Sequence, residues 1–231
     1  MFITYQQTSE QSYLLDYGNQ IDINTNKKVI SHFNYILKNK YEFIINIVPS
    51  FNKLLILFNY RDKKKVRSLI DDLISINKYY ETQSTKHIVQ ICYDTEYALD
   101  YKKIEKAFST NFNNFIKLHL STEFHIFMIG FMPGLPFLGL LKTNKSISRL
   151  DNPRLSVPIG SVGVVDKLSV IYPKQSPGGW NIIGRTKFKL FDEKKNIPIL
   201  LPGDTVKIES ISKKEFIKWL EKHKYSFWKV V

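Results

Sequence analysis

At residue 122 the chain changes its rhythm, and that change constrains the fold more than any other feature. Upstream, apolar residues recur with two alternating periods. Downstream, short apolar runs sit between glycines and prolines: "EFHIFMIG", "FLGLL", "LSVP", "SVGVV", "LSVIYP", "NIIG", "FKLF" and "DTVKIES". Many short strands with regular turn signals point to a β-barrel or sandwich. The "PGD" at 202–204 marks a turn ahead of a strand. A closing helix follows, in which Ser212 and Glu215 have the spacing of a capping box and Phe216, Trp219 and Leu220 form an apolar stripe. The terminal "YSFWKVV" reads as an edge strand or as a segment that packs that helix down.

The upstream part reads differently. "SYLLDYG", 12–18, has the pattern of a strand. Asp22 is placed to cap a helix whose apolar positions Val29, Ile30, Phe33, Ile36 and Leu37 share a face. "EFIINIV", 42–48, and "KLLILFN", 53–59, are strands separated by the turn signal "PSFN". A second amphipathic helix carries Val66, Leu69, Ile70 and Leu73, and "KHIVQIC", 86–92, is a further strand. The order β-α-β-β-α-β is that of the split βαβ, or ferredoxin-like, arrangement. Residues 98–120 predict two short helices, with Phe112, Phe115, Ile116 and His119 on one face of the second. The expected class is α+β, divided into an N-terminal ferredoxin-like domain (1–95), a helical connector (96–121) and a β-barrel domain (122–231).

Composition narrows the function classes. A hydrophobic content of 43% with 14% aromatics is enough for a filled core. The longest apolar run, "IFMIGFMPGLPFLGLL" at 126–141, is broken by two prolines and three glycines, which suits strand, turn and strand rather than a membrane helix. The opening "MFITYQQTSEQ" has neither the basic nor the apolar region of a signal peptide. One cysteine, Cys92, excludes an intrachain disulfide or a cysteine-based zinc site. A soluble, cytoplasmic protein is expected. The net charge of +13 comes from 34 Lys and Arg against 21 Asp and Glu. Its tightest cluster, "RDKKKVR" at 61–67, reads as a solvated helix start. With no zinc-finger spacing or ribonucleoprotein pattern, and few basic residues on the second helix of the pair, no nucleic-acid partner and no membrane is expected.

None of the five histidines (His32, His87, His119, His125, His223) lies in a hydrolase, zinc-protease or redox motif. Ser161, in "PIGSVG", lacks the nucleophile-elbow spacing because Gly160 is adjacent to it. No catalytic residue and no metal ligand is assigned. In "GFMPGLPFLG", 130–139, Pro133 and Pro136 remove N–H donors that a phosphate cradle needs. The better candidate is a composite groove. Its first stretch supplies Phe131, Pro133 and Phe137, and His125 alternates with Phe124 on the strand before it. "NPRLSVPIGS", 152–161, supplies Arg154 and Ser161. "IYPKQSPGGWNIIGRT", 171–186, supplies Tyr172, Ser176, Gly178, Gly179, Trp180 and Arg185. Arginines can hold a carboxylate or phosphate by two donors, and aromatic rings can wall a pocket. The plainer alternative is a set of barrel-corner turns whose arginines pair with nearby carboxylates.

In order and spacing, "GFMPGLPFLGLL", "NPRLSVPIGSVGVV", "IYPKQSPGGWNIIGRT" and "LPGDTVKIES" resemble the family of the 5-oxoprolinase B-type chain, also described as the kinase-inhibitor or allophanate hydrolase subunit 1 family. "YLLDYGNQID", "IVPSFNKLLILFN" and "ICYDTEYALD" extend the resemblance upstream more loosely. The resemblance implies an N-terminal α/β domain and a C-terminal cyclophilin-like β-barrel. It implies two partner chains of 5-oxoprolinase, a C-type chain of the allophanate hydrolase subunit 2 kind and an A-type chain. It also implies an assembly that opens 5-oxo-L-proline to L-glutamate at the expense of ATP, a cofactor of the complex. Other relatives inhibit a sporulation histidine kinase or form part of a urea carboxylase carboxyltransferase. In this setting Arg154 or Arg185 is a candidate clamp for the substrate carboxylate, and Gly178–Gly179 a candidate source of N–H donors for an oxyanion. One segment departs from the family pattern. Asp166 stands where glycine is usual, Leu168, Ser169 and Val170 stand where Gln, Thr and Gly are expected, and Lys187 stands where proline is common. Any difference in substrate is expected to originate there.

Overall fold

A computed structural model describes residues 3–75 and 84–222. The chain divides into two compact units, 1–84 and 85–231. The break therefore falls ahead of the strand "KHIVQIC" and not after it.

The first unit opens with a hairpin of β1 (Thr4–Ser9) and β2 (Ser12–Asp16), followed by α1 (Ile23–Asn39), β3 (Ile44–Pro49), β4 (Lys53–Phe58) and α2 (Lys63–Ser75). Asp22 caps α1 as expected, its Oδ1 accepting the Thr25 N–H at 2.9 Å. The helix ends at Lys40, which takes a left-handed conformation (φ 46°). Val29 and Ile36 from α1, and Val66, Leu69, Ile70 and Leu73 from α2, bury against Tyr13, Leu15, Leu54, Ile56 and Phe58 of the sheet. Leu37, assigned to the α1 stripe, is 51% exposed, so the apolar face is narrower than its periodicity indicates.

The sheet order is β1-β2-β4-β3, antiparallel throughout. This corrects the ferredoxin-like expectation in one respect. The strand after α2 does not return to flank β2; β1 occupies that edge. A hairpin from β1 to β2 closes over two residues, whereas a return strand has to cross the sheet, so the local pairing carries the smaller loop-closure cost. The buried Asn26 ties α1 to the β3–β4 turn, its Nδ2 donating to Ser50 O at 3.0 Å and Phe51 O at 2.9 Å. Asn26→Ala leaves both carbonyls short of a donor and is expected to cost about 2 kcal/mol. Faster hydrogen exchange of the α1 amides would register it, and unchanged exchange would refute it.

The second unit begins with β5 (Lys86–Cys92), then α3 (Tyr101–Phe108) and α4 (Phe112–Ser121). Strands β6 (Glu123–Ile129), β7 (Pro136–Gly139), β8 (Arg154–Val157), β9 (Ser161–Val165), β10 (Leu168–Ile171), β11 (Ser176–Gly178) and β12 (Asn181–Thr186) follow. The short pair β13 (Phe191–Asp192) and β14 (Ile197–Pro198), then β15 (Thr205–Ser210) and α5 (Lys213–Lys222), complete it. Seven strands close a barrel in the order β10-β7-β6-β15-β5-β12-β9, which leaves that sheet without a free edge. β5 runs parallel to β15 from Lys86↔Thr205 to Ile91↔Ser210 and pairs β12 on its other side. Its alternation suits any half-buried sheet, so its local pattern is silent on which sheet it joins.

The helices α3 and α4 are part of this unit and not a connector. Ile104, Phe108, Phe112 and Phe115 share one core with Val89, Ile91, Phe124, Ile126, Val162, Val164 and Ile208. The capping box of α5 forms as expected, with Ser212 N–H donating to Glu215 Oε2 at 2.8 Å and Glu215 N–H to Ser212 Oγ at 3.2 Å. Phe216 is the buried member of its stripe, and Trp219 and Leu220 are half-buried. The expected terminal strand "YSFWKVV" lies outside the described residues. No helix among the described residues is long and apolar enough to cross a membrane.

Candidate functional site

Two short strands that do not join the barrel build the site. β8 and β11 pair with each other, Ser176 opposite Val157 and Gly178 opposite Arg154. Beneath them lies a separate apolar cluster of Leu135, Val157, Val165, Val170, Tyr172, Trp180 and Ile182, with Met132, Phe137 and Leu168 packed against it. Trp180 meets Phe137 edge to face, with centroids 5.8 Å apart. The guanidinium of Arg149 lies 5.9 Å from the centre of the Trp180 ring.

Gly178 is required by packing. A Cβ there would collide with the Tyr172 hydroxyl, so the pair can approach only without a side chain. That hydroxyl lies near the Trp180 backbone N–H. Burial pushes it above the usual phenol range, while the Trp180 N–H and the charges of Arg149 and Arg154 act in the opposite direction. Gly179 is not sterically forced, because a Cβ would make ordinary contact with Pro153 at 3.5 Å. Its carbonyl accepts the Leu150 N–H at 2.8 Å.

The two candidate arginines part company. Arg154 Nη2 donates to Asp100 Oδ1 at 2.8 Å, and the buried Asp100 also accepts the Ile182 N–H on Oδ2 at 2.7 Å. Arg154 Nη1 is buried with no hydrogen-bond partner among the described residues. Arg185 instead spends its Nε on Ile159 O at 2.8 Å, bracing the turn where Gly160 has φ +78°. Burial lowers its pKa from the usual guanidinium range, and the nearby Tyr97 acts the other way. Along β12, Arg185 lies five residues from Trp180, about 16 Å at strand rise, and its cross-strand neighbour is the buried Ser161.

The grouping expected from the sequence therefore splits. Arg154, Gly178, Gly179, Trp180, Tyr172 and Phe137 come together. Ser161 and Arg185 form a turn support. Phe131 is 72% exposed at a left-handed φ of 70°, and Pro133 is exposed beside it; their neighbour Met132 packs on the cluster instead. Ser176 Oγ donates to the adjacent Pro177 carbonyl at 3.1 Å. His125 is buried on β6, opposite Gly139 and Thr205, and meets Phe127 edge to face at 5.0 Å; it is not a member of the Trp180 cluster. Two residues of the site were not singled out by the sequence. Asp100 closes "ICYDTEYALD", a stretch that carries the family resemblance without marking it as a site residue, and Arg149 lies in no quoted motif.

The divergent segment "DKLSV" separates into residues with different roles. Asp166 sits at a turn with φ 51°, a conformation natural to glycine and tolerated by Asp. Ser169 Oγ meets His119 Nε2 at 3.0 Å, and His119 Nδ1 meets the Tyr93 hydroxyl at 2.7 Å, all three buried in the core. Val170 is a member of the Trp180 cluster, and Leu168 packs against it. No group of three or more potential metal ligands assembles among the described residues.

Residues 3–201 match the family described as "Carboxyltransferase domain, subdomain C and D". A Bacillus subtilis protein, named as the B chain of 5-oxoprolinase, is 29% identical over 237 residues, covering 96% of this chain and 99% of that one. The Haemophilus influenzae protein of the same name is 35% identical over 166 residues, 71% of this chain and 78% of that one. Among solved structures, Kluyveromyces lactis urea carboxylase superposes with a TM-score of 0.74 at 17% identity, over 97% of this chain and 25% of that one. This chain thus spans a quarter of that enzyme's length, and the likeness is one of fold.

Proposed function

Since the chain belongs to the carboxyltransferase domain family, subdomains C and D, alongside the B-type chains of 5-oxoprolinase, we propose that it is the B-type chain of an ATP-dependent 5-oxoprolinase. In this reading it acts with A- and C-type chains to open 5-oxo-L-proline to L-glutamate. The observation that carries the reading is Arg154. One of its terminal nitrogens is anchored on Asp100, and the other is a buried donor without a partner among the described residues, on a strand residue paired with Gly178, which packs on the Tyr172 hydroxyl. A buried unpaired guanidinium donor is costly unless an acceptor meets it. The carboxylate of 5-oxoproline is such an acceptor.

This chain's part is to bind and orient. Arg154 holds the carboxylate, and the wall formed by Trp180, Tyr172 and Phe137 excludes water from the lactam ring. The 130–139 loop offers no cradle for ATP, because Pro133 and Pro136 carry no N–H and no Lys-Ser/Thr pair follows. In this reading ATP is a cofactor of the assembled complex. In this scheme Arg154 is the clamp, and Arg185, with its Nε on Ile159 O, braces the neighbouring turn.

Coexpression with candidate A- and C-type chains, followed by assay of ATP-dependent glutamate release, tests the reading. Activity is expected only with all three chains. Arg154→Ala is expected to lower kcat/KM by about 10- to 100-fold, the worth of a charge-assisted hydrogen bond, with assembly intact. A folded, assembled complex that releases no glutamate would sink the assignment.

A further inference from the structure

Around Arg154 the charges do not balance. Asp100 contributes one negative charge, while Arg154 and Arg149 contribute two positive ones. Asp100 is satisfied by Arg154 and by the Ile182 N–H. Arg149 forms no ion pair among the described residues and lies over the Trp180 ring. Both arginines border one cluster: Arg149 lies over the Trp180 ring, and Arg154 is paired with Gly178, which packs on the Tyr172 hydroxyl. The site as built carries one unit of surplus positive charge next to a buried donor, a combination that suits a ligand with a single anionic group.

Resting on the 5-oxoprolinase reading, we infer that Arg149 and Asp100 complete the carboxylate site: Arg149 is a second cation on the bound carboxylate, and Asp100 is the positioning residue that turns the Arg154 fork toward it. Asp100 can do this because it is itself fixed. It is the residue preceding the first turn of α3, its backbone N–H donates to Ile182 O at 3.0 Å, and its Oδ2 accepts the Ile182 N–H in return. With Oδ1 holding Nη2, the planar guanidinium is restrained at one end, and the direction of Nη1 follows from that anchor. The Arg154→Lys change would keep the charge and lose the rigid, planar fork that reaches Asp100 and the ligand at once.

Calorimetric titration of the full chain with 5-oxo-L-proline, and with 2-pyrrolidone as the same ring without a carboxylate, tests this. Saturable binding of 5-oxoproline alone is expected. Arg149→Gln and Arg154→Lys should each weaken it by about tenfold. Arg149 is exposed, so its substitution leaves the fold intact and a loss there reports on the site. In Arg154→Ala, added guanidinium ion should restore binding by seating on Asp100, and the rescue should vanish in the Arg154→Ala/Asp100→Asn double variant. Equal binding of both lactams, no binding of either, or parent-like affinity in Arg149→Gln overturns the site. Rescue that persists without the Asp100 carboxylate overturns the positioning role. The two proposals fail separately. An inactive complex whose B-type chain still binds 5-oxoproline through these arginines refutes only the enzyme assignment. An active complex indifferent to Arg149→Gln refutes only this one.

Discussion

Asp204→Ala is expected to destabilise the second unit by about 4 kcal/mol. The Asp204 carboxylate is nearly buried and accepts three hydrogen bonds: Thr85 N–H at 2.9 Å, Leu201 N–H at 3.1 Å and His87 Nε2 at 2.9 Å. It thereby ties the start of β5 to the "PGD" turn that launches β15, the two strands that run parallel in the barrel. Alanine would leave two backbone N–H groups and an imidazole without their acceptor, and each buried donor left unmade costs about 1–3 kcal/mol. The backbone bonds of Asp204 to Leu201 and Ile126 survive the change, which keeps the loss below a simple sum. Asp204→Asn retains one acceptor oxygen and should cost about half as much. Trp180, Trp219 and Trp228 all lie in 85–231, so tryptophan fluorescence in urea follows this unit alone. A shift of less than about 1 kcal/mol for Asp204→Ala would show that the clamp is not needed.

The second unit should also lose stability steeply on mild acidification, and His119 should be the cause. The imidazole is fully buried between the Tyr93 and Ser169 hydroxyls. Burial disfavours the charged ring and pushes its pKa down to about 3. In the unfolded chain the same ring titrates near the ordinary value of about 6.5. Between these two values the unfolded state binds a proton that the folded state does not, so stability falls as pH falls. The slope approaches about 1.4 kcal/mol per pH unit, and the total by pH 3 is on the order of 4 kcal/mol. Above about pH 6.5 the ring is neutral in both states and the effect is absent. His119→Gln should be less stable at pH 7 yet visibly flatter between pH 6 and 4. Parallel pH profiles for parent and variant would remove His119 as the source.

The two cases show where sequence reading reached and where it stopped. "PGD" was legible as a turn because proline, glycine and aspartate act locally. Nothing local indicated that Asp204 would hold Thr85 and His87. His119 was legible as one residue of an apolar helix face, and a histidine on such a face is explained once the Tyr93 and Ser169 hydroxyls are seen to satisfy both ring nitrogens. Ser169 lies in the segment where any difference in substrate is expected to originate. The structure divides that segment: Ser169 bonds to the buried His119, Val170 is a member of the Trp180 cluster, and Leu168 packs against it. The glycines at 178 and 179 are equivalent in the sequence, but only Gly178 is forced by a neighbour, the Tyr172 hydroxyl.

By itself the sequence determined what short-range chemistry determines: the Asp22 and Ser212 caps, the apolar faces of α1, α2 and α4, the positions of most turns, the run of short strands beyond 122, and the family motifs. Only the tertiary structure decided that β5 closes the barrel and not the first sheet, that α3 and α4 belong to the barrel's core, and that Arg154 keeps a buried donor unmet while Arg185 braces the Ile159 turn. The physical reason is the same in each case. Strand alternation and a lone arginine look alike whichever partner they find, and the partner lies far along the chain: β15 for β5, Asp100 for Arg154, the Ile159 carbonyl for Arg185.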